Sequence, residues 1–264
     1  MKKILAILTA VLMLAAFAGC GSGASKTDSD SDYVKEKGKL VIGITDFKPM
    51  DFEETKGSGE WIGFDADMAK AFAKSLGVDA EFIVIDWDNK IMELNAKSID
   101  CVWNGMTLND KVKSAMAVSD PYCKNAQVVV VPSDKAETYH TKEAIKDLKF
   151  AAEAGSAGED ALKALKYNVT AVTAQSDALM EVAAGTSDAC VIDLIMAGAM
   201  IGEGTSYPNL TYTVQLEPEE YVVGFRKGSD LAEKLNSFFE ASLKDGSMMQ
   251  TATTYGVQES IIEK

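Results

Sequence analysis

Arginine is almost missing from this chain. Of 264 residues, 26 are lysine or arginine, and Arg226 is the only arginine. Histidine is equally scarce, with His140 alone in the polar stretch DKAETYHTKE, which reads as a surface turn. A serine hydrolase is therefore not expected, since AGSAGED also lacks the spacing of a nucleophile elbow. Cysteine numbers four, at positions 20, 101, 123 and 190, too widely spaced for a disulfide framework or a metal-ligand cluster. Cys101 and Cys190 sit in the apolar runs DCVW and ACVI, so buried free thiols are expected. Basic charge is short overall. The formal net charge is −14, and loss of Lys2 and Lys3 with the first nineteen residues would take it to −16. A phosphate backbone would be repelled, so no nucleic-acid partner is expected. No metal and no cofactor are expected either.

What is present suits a folded body: 47% hydrophobic and 25% charged residues, enough for one large domain or two lobes with their own cores. The start, MKKILAILTAVLMLAAFAGC, has a basic end, an apolar run from Ile4 to Phe17 and small residues before Cys20. It reads as an export signal over 1–19, its apolar run shorter than the ~20 residues that span a bilayer. The ending FAGC resembles a bacterial lipoprotein cleavage site, which implies a lipid on Cys20 and a protein anchored at the extracellular face of the cell membrane, as in Gram-positive cells. Residues 21–32, GSGASKTDSDSD, contain no large apolar side chain, and a flexible tether is expected over 20–37.

The body alternates short apolar runs with amphipathic stretches. KLVIGIT predicts a strand; FDADMAKAFAKSLG puts Phe64, Met68, Phe72 and Leu76 on one helical face, with Gly77 as the stop. A strand at EFIVID, a helix over about 88–96, a strand at CVWNG and a short helix after Asn109 complete a β-α-β-α-β unit. From Lys149 the order repeats: KFAAEAG, a helix opened at Ser156, YNVTAVT, a helix opened at Ser176, then ACVID. ELNAKSID (93–100) lies over EVAAGTSD (181–188) at a constant offset of 88. Two runs, QVVVV (127–131) and YVVGF (221–225), read as strands that cross between the units. The C-terminal stretch carries an apolar stripe of Leu231, Leu235, Phe238, Phe239 and Leu243, then a short helix with Ser247 and Gln250 spaced as a capping box and Gly256 as its stop. The expected architecture is α/β, two Rossmann-like lobes joined by two crossing strands that act as a hinge. Lobe 1 is expected over 38–127 plus 222–264 and lobe 2 over 128–221.

In open parallel sheets a ligand lies beyond the carboxyl ends of the strands, where loops and helix N-termini converge. That rule selects Asp46, Phe47, Trp87, Asn104, Gly105, Met106 and Thr107 in the first lobe, and Gly155, Ser156, Ala157, Gln175, Ser176 and Asp193 in the second. Each has a structural alternative. Ser156 with Glu159 fits a helix-capping box, Asp193 could be a plain N-cap, and Phe47 and Trp87 could be core aromatics.

The ordered motifs IGIT, GFDADMAKAFAKSLG, FIVIDWDNKI, IDCVWNGMT, SDPY, QVVVV, AGSAGED, SDACVID and YVVGFRKGSD resemble the extracellular amino-acid-binding proteins of ABC importers, the type II two-lobed solute-binding fold, over nearly all of the chain after residue 37. The resemblance implies a monomeric, non-enzymatic binding protein that closes on a small amino-bearing metabolite, an amino acid or an amine, and hands it to an ABC permease. It implies that Asp193 holds the ligand's amino group, that Phe47 and Trp87 stack on its side chain, and that Gly105 and Thr107 offer a backbone and a hydroxyl contact, beside Asn104 from the strand-tip selection. Ser156 and Ala157 would present N–H groups to the ligand's carboxylate.

One departure stands out. Where the family pattern has an arginine gripping the α-carboxylate, counting from Gly105, this chain has Val112. Loss of such a clamp costs about 2–5 kcal/mol, some ~30- to 5000-fold in affinity. Lys111 and Lys113 could substitute but read as solvated, and Arg226 belongs to a segment unrelated to the ligand. An amine or other cationic ligand is thus a serious candidate. The alternative function is a dehydratase-like enzyme on the same scaffold, since dehydratases of cyclohexadienyl acids resemble this family, with Asp46, Glu153 and Asp193 as candidate acids.

Overall fold

A computed structural model describes residues 29–263. The leader, Cys20 and the tether up to 28 lie outside the described residues. The first described element corrects the tether's length: helix α1 (Asp30–Lys37) occupies residues expected to remain unpacked. The Ser29 side chain caps it on the Asp32 N–H, and Gly38 ends it at φ 73°. Val34 is fully buried, and Asp230 receives both the N–H and the hydroxyl of Ser31. A helix docked mainly through caps and polar pairs carries too weak a hydrophobic period to be read in sequence.

The first lobe then builds β1 (Lys39–Ile44), a small hairpin of β2 (Phe52–Glu53) and β3 (Trp61–Ile62), α2 (Phe64–Leu76) and β4 (Asp79–Val84). It continues through a 3-10 turn at Trp87–Asn89 into α3 (Lys90–Asn95), β5 (Cys101–Thr107), α4 (Asp110–Ala115) and β6 (Met116–Val118). After β7 (Cys123–Pro132) and the short α5 (Lys142–Ile145), the second lobe repeats the scheme. It has β8 (Lys149–Glu153), α6 (Ala157–Ala164), β9 (Asn168–Val172), α7 (Gln175–Ala184), β10 (Ala189–Asp193) and α8 (Leu194–Met200). The chain returns on β11 (Leu210–Arg226) and closes with α9 (Leu231–Asp245) and α10 (Ser247–Thr254).

One nine-stranded sheet runs through both lobes in the order β4-β1-β5-β11-β7-β10-β8-β9, with β6 also on β11. β1 pairs in parallel with β4 and β5, and β8 in parallel with β9 and β10, which gives each lobe its own parallel triplet. Between the triplets, β7 and β11 pair antiparallel from Leu210↔Pro132 to Tyr221↔Cys123. These are the two crossing strands, and the second is far longer than the run YVVGF. Its polar stretch TVQLEPEE hides the strand because the register shifts at Tyr212/Val214 and Gln215/Pro218 break the alternation of faces.

The C-terminal stripe works as its spacing predicts. Leu231, Leu235 and Phe239 are buried, Phe238 and Phe239 meet Phe72 and Trp103 at 5.5 and 5.6 Å between ring centroids, and α9 and α10 both pack on α2. Two helix starts differ from expectation. α7 begins at Gln175 rather than Ser176, with the Asp177 carboxylate accepting from the Ala174 N–H, and α10 begins at Ser247 behind Gly246 with no side-chain cap. Cys101, Cys123 and Cys190 are buried and unpaired.

Arg226 sits at the amino-terminal end of the first lobe's strands. Its guanidinium donates to both carboxylate oxygens of Asp30 at 3.1 Å, to the Ile99 carbonyl at 2.8 Å and to Asp100 at 3.2 Å. The only arginine therefore ties α1 and the crossing strand to the base of the sheet, at the opposite end from the strand tips.

Candidate functional site

A narrow cavity of about 30 Å³ lies where the carboxyl ends of β5, β8 and β10 converge, lined from both lobes. Of the residues expected there, Trp87, Asn104, Gly105, Thr107, Ser156, Ala157 and Asp193 line it, and Phe47 does not.

The floor comes from the first lobe. The Asn104 side chain is held rigidly, accepting from the Thr45 N–H and hydroxyl while donating to the Thr45 carbonyl and the Asp51 carboxylate. Gly105 has φ +56°, and its N–H donates to Asp65 at 2.8 Å. A side chain here would put its Cβ 2.4 Å from Cε1 of Phe47. Phe47 thus fills the space beneath Gly105, edge-on to Tyr221 and 2% exposed. Its expected stacking on a ligand is corrected: it is a core aromatic that supports the floor.

Trp87 is buried at the edge of the same floor, but one ring face is already taken. Nζ of Lys90 stands 4.6 Å from the ring centroid and donates to the Trp87 carbonyl at 2.9 Å and the Gly155 carbonyl at 3.0 Å. Lys90 is 5% exposed, and burial, with repulsion from Lys111 behind it, pulls its ammonium down to about 8. The bond to Gly155 joins the two lobes across the cavity. Gly155 itself, at φ +70°, lies so close to the first lobe that an added Cβ would stand 2.7 Å from Cα of Asp88. Val112 is 2% exposed and lines the cavity among apolar neighbours; Lys111 and Lys113 are exposed, with Lys111 at the cavity's edge.

The second lobe supplies α6 and the acids. The Ser156 hydroxyl accepts from the Glu159 N–H at 3.0 Å, so it caps its helix, and the Ser156 N–H is committed to the Glu153 carbonyl. Of the two N–H groups expected for a ligand carboxylate, that of Ala157, the first helical residue, is left as the donor of the first turn. Asp193 is 3% exposed and heavily bonded. Oδ1 accepts from Asn125, from Gln127 at 2.8 Å and from the Tyr221 hydroxyl at 2.8 Å, while Oδ2 accepts from Gln175. Burial, reinforced by Glu219, pushes its carboxyl up to about 8. Glu153 is different. It is 2% exposed, Oε1 has no hydrogen-bond partner, and burial together with the charge of Asp193 pushes it up to about 8 against the opposing pull of the Thr45 hydroxyl and the Lys90 charge.

Eight of the eighteen lining residues escape the strand-end rule, Glu153, Gln127 and Lys90 among them. Gln127 reads as the first residue of a crossing strand, and Lys90 lies three residues past Trp87, at the first position of α3. The signal for Lys90 is its position: a lysine in the turn that follows a selected strand tip. Asp46, a candidate acid in the enzyme alternative, is exposed and does not line the cavity. Among the described residues no cluster of potential metal ligands occurs, and no helix is long and apolar enough to cross a membrane.

Comparison with known proteins identifies the family and the fold. The arginine-binding extracellular protein ArtP of Bacillus subtilis is 28% identical over 257 residues, covering 94% of this chain and 95% of its own. The crystal structure of the P235GK mutant of ArgBP from T. maritima superposes with a TM-score of 0.79 at 30% identity, over 86% of this chain and 98% of that one. The ancestral amino acid-binding protein AncCDT-1, described as a precursor of cyclohexadienyl dehydratase, superposes with a TM-score of 0.78 at 29% identity, over 86% and 99%. The profile of the bacterial extracellular solute-binding proteins, family 3, matches residues 40–258, and the chain belongs to that family.

Proposed function

We propose that the two lobes close on a small amino-bearing metabolite whose ammonium meets the acids of the second lobe, for delivery to an ABC permease. The carrying observation is Glu153, a buried carboxyl at the cavity wall with an unpartnered Oε1. A guest ammonium gives such an oxygen a charge-assisted partner. Asp193 stands behind it, its oxygens already engaged by side-chain donors, and orients the amides around the same wall. The relatives named for amino acids support the ligand class.

The chain acts without chemistry in this reading. A buried acid kept protonated near neutral pH would also suit a general acid, which is the one feature favouring a dehydratase. Incubation with cyclohexadienyl acids separates the two, because a dehydratase would build up an absorbing aromatic product and a binding protein would not. We further propose a lipid on Cys20 and an extracellular, membrane-held monomer. Cys20→Ala should release the protein into the culture medium; retention at the membrane would remove the anchor.

Isothermal calorimetry on the purified chain across amino acids, amines and dipeptides tests the main reading. Saturable binding of at least one amino-bearing compound is expected, and its loss in Glu153→Gln ties it to this wall. No binding from the whole panel would contradict capture for import.

A further inference from the structure

We infer that the ammonium of Lys90 receives the guest's carboxylate, so that the site is built for an amino-carboxylate rather than a bare amine. The inference rests on the reading above, in which the cleft closes on an amino-bearing guest.

Val112 occupies the place where the family pattern puts the carboxylate-gripping arginine, and it is buried in the wall of this cavity. Judged by that position alone, a carboxylate has no partner. Lys90 lines the same cavity from the preceding helix, α3, and is nearly as buried. Its ammonium has three N–H donors. Two go to the backbone carbonyls of Trp87 and Gly155, and among the described residues no carboxylate lies within 4.0 Å. A buried cation with no counter-ion in contact is costly, even with Glu153, Asp88 and Asp160 acting on it from farther away, and an aliphatic side chain of similar length would pack there without that cost. A guest anion meets the third donor and supplies the missing charge.

The opposite pole is in the same space. Glu153 has its own unpartnered oxygen, and each of the two groups feels the charge of the other. One cavity thus holds an incompletely matched cation from the first lobe and an incompletely matched acid from the second. A zwitterion satisfies both, whereas an amine satisfies only the acid. Because Lys90 also bonds to Gly155, its role as a mere latch between the lobes must be separable from its role toward the guest.

Matched pairs that differ only by the carboxylate make that separation: arginine and agmatine, histidine and histamine, lysine and cadaverine, titrated calorimetrically into wild type, Lys90→Met and Lys90→Arg. Wild type should bind at least one amino acid ~30-fold or more tighter than its decarboxylated amine. Lys90→Met should weaken that amino acid by about 30-fold or more while changing the amine by less than about 3-fold, and Lys90→Arg should keep the preference. Equal weakening of both members would make Lys90 a latch and overturn the inference. A wild type that treats the members alike would overturn it without any variant, while leaving the amino-bearing guest intact. Failure of every compound to bind wild type would instead strike the proposed function, and the inference would fall with it.

Discussion

The two lobes share a frame and differ in the chemistry they hang on it. At the offset of 88 that relates their sequences, Trp87 corresponds to Gln175 and Gly105 to Asp193, and all four line the cavity. The first lobe offers an aromatic ring, a glycine backbone turned by φ +56° and the cation of Lys90. The second offers an amide and two buried acids, both pushed up to about 8 by burial. The parallel triplets thus decide where contacts fall, at the strand tips, and single substitutions at those tips decide their sign. A closed pair of unlike walls is what a small dipolar guest requires.

Changing the acid wall should have the largest effect. Glu153→Gln should weaken an ammonium-bearing ligand by about 2–4 kcal/mol, or ~30- to 1000-fold, measured by calorimetry. The same change should raise the melting temperature of the ligand-free protein at pH 8 by several degrees, on the order of 2–4 °C per kcal/mol regained. The sign follows from linkage. A carboxyl whose folded pKa is raised contributes stability that is present below the ordinary carboxylate range and lost as pH rises through about 8. A lower melting temperature for the variant at that pH would show that the carboxylate is matched within the protein.

Closure is the next target. Gly155→Ala should lower affinity about tenfold or more, because its Cβ would stand 2.7 Å from Cα of Asp88, while the ligand-free melting temperature changes much less. Unchanged affinity would mean that the lobes need not approach this closely. On the opposite side of the comparison, Arg226→Gln should cost about 1.5–3 kcal/mol of stability in a denaturant titration, since buried Asp100 loses that partner but keeps Lys37 and the Val41 N–H, yet leave ligand affinity within about 2-fold. A large loss of affinity would bring Arg226 into the site.

The smallest effect is in pH. An ammonium guest favours the ionised form of Glu153, so binding near pH 7 should release a fraction of a proton up to about one, and affinity should climb as pH rises toward about 8. Calorimetry in buffers of different ionisation enthalpy reads this directly, and Glu153→Gln should abolish most of it.

Most of the frame was legible in the sequence because it rests on periodicity. The face of Phe64, Met68, Phe72 and Leu76, the β-branched run QVVVV and the repeated order of elements all report burial through spacing. Helix α1 was illegible because Asp30 and Ser31 dock by polar pairs with partners some two hundred residues away. The site was half legible. Strand tips place Asp193, Gly105 and Trp87 at the cavity, but which of two neighbouring acids keeps an open oxygen depends on where Asn125, Gln127 and Gln175 reach. That is set by the pairing of β7 with β10 and β11. Phe47, selected by its strand tip, and Lys90, not selected at all, lie where packing rather than spacing puts them: one side chain fills the hollow under Gly105, and the other lines the cleft.

A crystal structure of the chain with its tightest-binding amino acid tests the central claim most directly. The account predicts the guest's ammonium at hydrogen-bond distance from Glu153, between two lobes still in contact at Gly155, with Arg226 remaining on Asp30 and Asp100. A guest whose ammonium points into the first lobe, away from both Glu153 and Asp193, would contradict it.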